Sequence, residues 1–136
     1  MELKGSIQIR DRINSISSVD DKIYAVTTSG HLCQWKQPNN FVYCQVTHAF
    51  NTTLVDATTN DMVVTAGQDR NLKIWTSSAK HIATFIYESK IKAITHSRKY
   101  IAVGDSAGVV KLYTIEKLIE SLVIKINGSV IGVNVL

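Results

Sequence analysis

The sequence predicts an all-β fold in which a unit of four short antiparallel strands is repeated three times. Large aromatic residues recur at Trp35, Trp75 and Tyr113, at separations of 40 and 38 positions. Each aromatic ends an alternating apolar run, and a polar turn separates that run from a preceding β-branched run. This order is typical of a strand–turn–strand unit. A further short apolar strand lies upstream of each unit, and another lies downstream.

The elements follow in the same order in all three units. The first strands are predicted at Ile13–Ser17, Leu54–Thr58 and Ile91–Thr95. The central hairpins are predicted in the segments IYAVTTSGHLCQW, VVTAGQDRNLKIW and IAVGDSAGVVKLY. The fourth strands are predicted at Phe41–Val46, His81–Ile86 and Leu122–Ile126. Four short strands in a period of about 40 residues are the unit of a β-propeller blade, which must stack on neighbouring blades to bury its faces.

We therefore expect one domain, an incomplete β-propeller of three four-stranded antiparallel blades with one extra strand at each end. The blades are expected at about 11–46, 52–86 and 90–127, within a single domain of residues 1–136. The three aromatic residues would pack where one sheet meets the next, because large rings bury much area and keep the sheets at a constant distance.

The two ends of the chain predict further strands. Ser6–Arg10 occupies the position of a fourth strand before the first blade, and residues 129–136 occupy that of the first strand of a further blade. In the alternative, Asn127-Gly128 forms a hairpin turn and Val130–Val135 folds back on the preceding strand. Propellers have about four to eight blades, so an arc of three leaves two open faces. The chain is then a segment of a longer propeller, an arc completed by another subunit, or a self-associating arc.

One segment interrupts the strand pattern. The segment TIEKLIES at 114–121 contains good helix formers, with apolar residues at Ile115, Leu118 and Ile119. It predicts one or two helical turns inserted between the last two strands of the third blade.

The second unit resembles the signature of the WD-repeat family. Gly67-Gln68-Asp69-Arg70-Asn71-Leu72-Lys73-Ile74-Trp75 is similar to the end of such a repeat, although Trp75 is followed by Thr76 instead of Asp. The resemblance implies that Asp69, in the turn, is hydrogen-bonded to a His before the first strand, for which His48 is the candidate. The family's hydroxyl position, eight residues before the Trp, is Gly67 here.

The resemblance is weaker in the other two units. Ser29 replaces the turn Asp in the first unit, and Ala107 replaces it in the third, where Tyr113 also stands for Trp. The similarity extends over roughly residues 6–135. Blades that lack the polar tie are expected to depend on apolar packing between sheets.

Composition and charge are those of a globular domain. Apolar residues make up 45% of the chain and charged residues 19%, and the net charge is +4. The basic residues are dispersed, whereas nucleic-acid binding favours clustered Lys and Arg. The sequence shows neither a secretory signal nor an apolar run of the length that a membrane span requires. We expect a cytoplasmic or nuclear protein with no membrane association.

The two cysteines are expected to be cross-strand neighbours. A hairpin that turns at Gln37–Asn40 places Cys33 opposite Cys44. Two cysteines in such a chain fit a reducing compartment, in which they remain free thiols that pack as small apolar residues.

No catalytic, metal or cofactor site is expected. The segment GDSAG at 104–108 matches the G-x-S-x-G nucleophile motif, but the motif needs a helix after the serine and a strand follows here. Ser106 is therefore expected to lie in a hairpin turn. The four histidines are far apart in the sequence, and none has a second ligand at metal spacing.

These observations predict a non-catalytic scaffold for protein–protein interaction. The turns between strands would form a rim on which Phe50, Arg70 and Tyr87 contact partners, since aromatic residues and Arg dominate interface energy. Phe50 and Tyr87 could instead pack between blades. Two other functions are kept as alternatives: an RNA- or RNP-associated assembly factor that uses the dispersed basic residues, and a serine hydrolase that uses Ser106.

Overall fold

The structure, a computed structural model, describes residues 8–36, 41–48, 51–58 and 61–125, together with Gly128 and Gly132. Its strands form three four-stranded antiparallel sheets, which confirms the predicted fold class. Sheet 1 contains β1 (Ile13–Val19), β2 (Lys22–Thr27), β3 (His31–Lys36) and β4 (Phe41–Val46). Sheet 2 contains β5 (Thr52–Ala57), β6 (Met62–Gly67), β7 (Asn71–Thr76) and β8 (His81–Ile86). Sheet 3 contains β9 (Ile91–His96), β10 (Tyr100–Asp105), β11 (Val109–Thr114) and β12 (Glu120–Lys125).

Each sheet is a meander in which sequential strands pair, so each sheet is one blade. Successive side chains of a strand lie on opposite faces of its sheet. In sheet 2, Val63 and Trp75 therefore pack towards sheet 1, whereas Val64 and Ile74 pack towards sheet 3. Two apolar cores result, one between each pair of adjacent sheets.

The aromatic residues lie on corresponding faces of their sheets. Trp75 is buried in the core that sheet 2 shares with sheet 1, and Tyr113 is buried in the core that sheet 3 shares with sheet 2. Trp35 pairs with Ile23 in the same register as Trp75 pairs with Val63. Trp35 therefore lies on the face of sheet 1 that points away from sheet 2.

The helical turns predicted at 114–121 are absent, and this prediction is wrong. The Leu118 amide donates a hydrogen bond to the Thr114 carbonyl over 2.7 Å, which closes a single turn, and Leu118 has a φ of 53°. The Thr114 amide then donates to the Ile119 carbonyl over 2.9 Å, and pairing resumes where Tyr113 faces Glu120. Strand pairing satisfies these backbone groups, so local helix propensity is overridden.

The extra strands predicted at the two ends largely fall outside the described residues. Gln8, Ile9 and Arg10 are described and are not in a strand. Most of 129–136 is outside the described residues, so neither the start of a further blade nor the alternative hairpin is described. The last strand, β12, begins two residues before the predicted one.

The cysteines face each other across β3 and β4, and they form a disulfide. The prediction of free thiols is therefore wrong, although the cross-strand pairing was expected. Directly opposite residues of antiparallel strands bring their Cβ atoms within reach of a disulfide. Cys33 is 3% exposed, whereas Cys44 is exposed at the outer edge of sheet 1.

Candidate functional site

One end of the three sheets carries all the loops that the sequence predicted as a rim. Here lie the hairpin turns β2–β3, β6–β7 and β10–β11 and the connections between consecutive sheets. We call this end the turn face. Tight turns with positive φ at Gly30, Arg70 and Gly108 allow each hairpin to reverse within a few residues.

A continuous polar network links the turn face to the core between sheets 1 and 2. His48 Nδ1 lies 3.0 Å from each carboxylate oxygen of Asp69, and His48 Nε2 lies 2.8 Å from the Thr65 hydroxyl. Trp75 Nε1 donates to that hydroxyl over 2.9 Å. His48 is 1% exposed and Thr65 is fully buried, so the network is shielded from water.

The chemistry of the donors sets the direction of every bond. An indole N–H can only donate, so the Thr65 oxygen accepts from Trp75. A carboxylate can only accept, so His48 Nδ1–H donates to Asp69. Burial lowers the pKa of His48 below its ordinary value and outweighs the opposing effect of Asp69. In the neutral imidazole that this favours, Nε2 accepts from the Thr65 hydroxyl.

Gly67 leaves space for this pair of side chains. A Cβ atom at Gly67 would lie 3.0 Å from His48 Nδ1 and 3.1 Å from Asp69 Oδ1. The space that a larger side chain at position 67 would need is therefore occupied by the His48 imidazole and the Asp69 carboxylate.

The network holds two loops of the turn face together. His48 is in the connection between sheets 1 and 2, and its amide also donates to the Gly30 carbonyl over 3.1 Å. Asp69 is in the β6–β7 turn, where its Oδ1 accepts from the Asn71 amide over 3.1 Å. Lys73 Nζ donates to the Thr47 carbonyl over 2.7 Å. These bonds join sheet 1 to sheet 2 and make that part of the turn face rigid.

Thr65 is the member of the network that sequence reasoning missed. It lies ten residues before Trp75, on the same face of sheet 2, because it pairs with Lys73 while Trp75 pairs with Val63. Thr65 lies two residues before Gly67, the position at which the family resemblance implies a hydroxyl. This hydroxyl, within a β-branched run, was the signal in the sequence that could have identified it. The corresponding positions are Ala25 and Val103 in the other blades, and Trp35 Nε1 is buried without a hydrogen-bond partner.

The three predicted rim residues have different settings. Phe50 lies outside the described residues. Arg70 is exposed in the β6–β7 turn, and its guanidinium donates to the Glu88 carbonyl over 3.1 Å. Tyr87 is only 4% exposed, and its hydroxyl lies 2.7 Å from that of Tyr113. Tyr87 packs between blades, so its assignment as an exposed contact residue is wrong.

Burial of the tyrosine pair follows from its position in the core between sheets 2 and 3. The Tyr113 ring lies 4.7 Å from that of Phe85, and Lys111 Nζ lies 4.8 Å from the centre of the Tyr87 ring. Burial raises the pKa of Tyr87 and that of Tyr113 above their ordinary value. A single hydrogen bond satisfies both hydroxyls in this water-poor environment.

A second tie joins sheets 2 and 3. His96 Nδ1 lies 2.6 Å from Asp56 Oδ2, between β9 and β5. Burial raises the pKa of Asp56, and the bond to His96 opposes that shift. The two interfaces between blades therefore each contain a His–Asp contact, although the residues lie at different depths along the strands.

A cleft of about 200 Å³ opens on the turn face between sheets 2 and 3. Its lining residues come from the start of β5, the β6–β7 turn and the start of β9: Thr53, Leu54, Gly67, Gln68, Lys90, Ile91 and Lys92. The two lysines are exposed and Ile91 is buried, so the cleft has an apolar floor and a basic wall. Arg70 follows Gln68 in the turn beside it.

Ser106 lies in the β10–β11 hairpin turn, between two strands. Its amide donates to the Lys90 carbonyl over 2.8 Å, and Asp105 Oδ1 accepts from the Ala107 and Val109 amides. A nucleophile elbow requires a helix after the serine, whereas strand β11 follows Ser106.

Among residues 8–125 that are described, no group of three His, Cys, Asp or Glu side chains is placed to hold a metal ion. That part of the chain also contains no helix with the length and apolarity needed to cross a bilayer.

Comparison with known proteins gives a fold but no family. No protein-family model and no curated protein sequence matches the chain. The computationally designed Ika4 protein matches 99% of the chain with a TM-score of 0.84 at 15% identity, over 84% of its own length. U3-55K matches 88% of the chain with a TM-score of 0.78, and the WD40 repeats of RRP9 match 88% with a TM-score of 0.77, both at 11% identity.

The fold is therefore propeller-like, and WD40 repeat structures are among its structural neighbours. The chain spans 41% of the U3-55K chain and 40% of the RRP9 chain. At this level of identity the similarity concerns the fold alone.

Proposed function

We propose that the chain is a non-catalytic scaffold of the WD-repeat type, which binds a segment of a protein partner in the cleft between sheets 2 and 3. One observation carries the proposal: two consecutive sheets present an apolar floor beside exposed Lys90 and Lys92 on the turn face. The likeness to the WD40 repeats of RRP9 supports the class of protein, and the four-residue network around His48 supports the WD-repeat assignment.

The cleft suits a protein segment better than a small molecule. Sites for drug-sized ligands and cofactors usually have volumes of about 300–1,000 Å³, whereas about 200 Å³ accommodates one or two side chains. Lys90 and Lys92, at the start of β9, supply two exposed cations beside the apolar floor. Glu88 is the exposed acidic residue nearest to them in sequence. The expected ligand is an extended segment with an apolar side chain flanked by Asp or Glu.

Charge reversal tests this proposal. A displayed library of eight-residue peptides with two fixed Glu positions is selected against the chain, and affinities of the selected peptides are measured by titration. The double variant Lys90→Glu/Lys92→Glu is expected to weaken binding about tenfold or more. The introduced carboxylates would repel the acidic side chains of the peptide, which the two lysines otherwise attract and align.

The matched control reverses two charges at the other end of β9. Arg98→Glu/Lys99→Glu changes the net charge equally, at exposed positions remote from the turn face, and is expected to leave affinity within about twofold. Equal losses in both variants would show that only net charge matters. Failure to select any peptide would contradict the proposal. Salt-dependent RNA binding that requires Lys90 and Lys92 would replace it with the alternative of an RNA-associated factor.

A closed propeller has more blades than the three sheets described here, since propellers have about four to eight. That the chain is a segment or truncated form of a longer propeller stays a prediction, as does its location in the cytoplasm or nucleus.

A further inference from the structure

Each of the three sheets has a β-bulge in its first strand, at the turn face. The pairing register shifts by one residue at Asn14 in β1, at Thr53 in β5 and at Lys92 in β9. A bulge directs its extra side chain out of the regular alternation of the strand. The three bulged residues therefore hold equivalent positions in the three blades.

Asn14 uses this position to join sheet 1 to sheet 2. Its Nδ2 group donates to the Thr52 carbonyl over 2.9 Å and to Asn51 Oδ1 over 2.7 Å. Thr52 is the first residue of β5. A carboxamide of one blade thus binds the carbonyl with which the first strand of the next blade begins.

The start of β9 presents the same backbone arrangement to sheet 2. By register, Lys90 and Ile91 are the equivalents of Asn51 and Thr52. In both places the amide that follows the second strand of the blade donates to the residue before the first strand. It donates to the Asn51 carbonyl over 3.1 Å and to the Lys90 carbonyl over 2.8 Å. The Ile91 carbonyl is therefore the counterpart of the Thr52 carbonyl to which Asn14 binds.

Thr53, the bulged residue of sheet 2, does not repeat the bond that Asn14 makes. A threonine hydroxyl has a single proton, and Thr53 donates it to the Ala66 carbonyl over 3.2 Å, within its own sheet. The cleft on the turn face opens at this point, with Thr53, Lys90 and Ile91 among its lining residues. The cleft thus lies where the interface between sheets 1 and 2 holds a carboxamide.

A ligand for this part of the cleft needs a donor and an acceptor side by side. The Ile91 carbonyl can only accept a hydrogen bond, and the exposed Lys90 ammonium can only donate one. A primary carboxamide carries an NH₂ group and an oxygen on one carbon, so it satisfies both. A carboxylate would bind the ammonium but would bring a second acceptor against the carbonyl.

We propose that the cleft binds the carboxamide of an Asn or Gln side chain of the partner segment, at the position that Asn14 occupies between sheets 1 and 2. The inference rests on the proposed function, to which it adds an amide anchor beside the apolar and acidic side chains of the segment. The anchor supplies specificity, because a site that forms hydrogen bonds to a ligand group rejects analogues that lack the group.

Replacement of the carboxamide by a carboxylate separates this inference from attraction by charge alone. The probes are the eight-residue peptides selected from the library with two fixed Glu positions, and these are expected to share an Asn or Gln at one further position. A change of that Asn to Asp, or of that Gln to Glu, is expected to weaken binding about tenfold or more, since the carboxylate has no proton for the Ile91 carbonyl. Attraction to Lys90 and Lys92 alone would instead make the more acidic peptide bind more tightly.

A substitution in the chain tests where the carboxamide binds. Thr53→Asn gives sheet 2 the bulged residue of sheet 1, and its own carboxamide is expected to bind the Ile91 carbonyl and to weaken peptide binding about tenfold. Ser78→Asn is the matched control, since it adds the same group at an exposed position of the β7–β8 turn, at the opposite end of sheet 2. It is expected to leave affinity within about twofold, because it lies away from the contact. Circular dichroism checks that both variants are folded.

The outcomes distinguish this inference from the proposed function. Peptides that share no Asn or Gln, yet lose affinity for Lys90→Glu/Lys92→Glu, would overturn the inference and leave the proposed function standing. Tighter binding of the more acidic peptides, or undiminished binding to Thr53→Asn, would do the same. If no peptide is selected at all, both the inference and the proposed function fail.

Discussion

The Thr65 hydroxyl lies 2.8 Å from His48 Nε2, and this contact connects the interior of sheet 2 to the turn face. Through Thr65 and His48, hydrogen bonds connect Trp75, which is buried between two sheets, to Asp69 in a surface turn. Each donor in the chain of bonds has an acceptor, so the network is satisfied throughout. Blades 1 and 3 lack it, because Ala25 and Val103 occupy the position of Thr65.

Removal of the Thr65 hydroxyl should destabilise the fold. Thr65→Val keeps the shape of the side chain but leaves Trp75 Nε1 and His48 Nε2 without partners in a buried setting. We expect a loss of about 2–4 kcal/mol in the free energy of unfolding, since each unsatisfied buried group costs about 1–3 kcal/mol. Urea unfolding followed by tryptophan fluorescence measures it. Thr53→Val, at a half-buried position of β5, is the comparison and should lose less than half as much.

The stability of the fold should depend on pH through His48. Burial lowers the pKa of His48 in the folded state below its unfolded value of 6.5, so the unfolded chain binds the proton more tightly. The stabilisation is complete above about pH 6.5 and is lost as the pH falls through the lower, folded pKa, with a slope of at most about 1.4 kcal/mol per pH unit. Unfolding free energies measured between pH 5 and 8 give this slope. If His48→Gln has the same slope as the wild type, another group is responsible.

Gly67 should not tolerate even a methyl group. In Gly67→Ala the new Cβ would approach His48 Nδ1 to 3.0 Å and Asp69 Oδ1 to 3.1 Å, which forces the pair apart. We expect a loss of about 1–3 kcal/mol in the free energy of unfolding, as for other overpacked interiors. Gly132→Ala, whose Cβ would meet no atom within 4 Å, should change stability by less than about 0.5 kcal/mol. Equal effects of the two substitutions would contradict the packing shown for Gly67.

The tyrosine pair should show strong coupling. Tyr87→Phe and Tyr113→Phe each leave the other hydroxyl buried without its partner, at an expected loss of about 1–2 kcal/mol of unfolding free energy apiece. The double variant removes both hydroxyls and should lose less than the sum of the single losses, because no polar group is then stranded. A double-mutant cycle in urea measures the difference. Additive losses would mean that the two hydroxyls do not depend on each other.

Reduction of the disulfide should weaken sheet 1. Cys33 and Cys44 are 11 residues apart. A cross-link that closes a loop of this size reduces the entropy of the unfolded chain and so stabilises the fold by about 2–3 kcal/mol. Reducing agent should lower the free energy of unfolding of the wild-type chain by that amount, and with it the urea midpoint, but should leave Cys33→Ala/Cys44→Ala unaffected. Identical midpoints with and without reductant would mean that the bond contributes nothing to stability.

The sequence alone was sufficient for the strands and their grouping into blades. Each strand is a short β-branched run bounded by polar turn residues, and both signals are local. The spacing of Trp35, Trp75 and Tyr113 then indicated repeated units, because stacked sheets require a large residue at the same point of every repeat. For these reasons the three four-stranded sheets could be predicted without coordinates.

Only the tertiary structure decided the settings of individual side chains. Whether Tyr87 is exposed, whether Thr65 reaches His48, and whether the cysteine pair is bonded all depend on atoms that are distant in sequence and adjacent in space. The segment 114–121 has helix-forming residues, yet it turns within a few residues because Glu120 pairs with Tyr113. Local preferences amount to tenths of a kcal/mol per residue, whereas burial and hydrogen bonding between sheets contribute about 1 kcal/mol or more per group, so the assembled fold prevails.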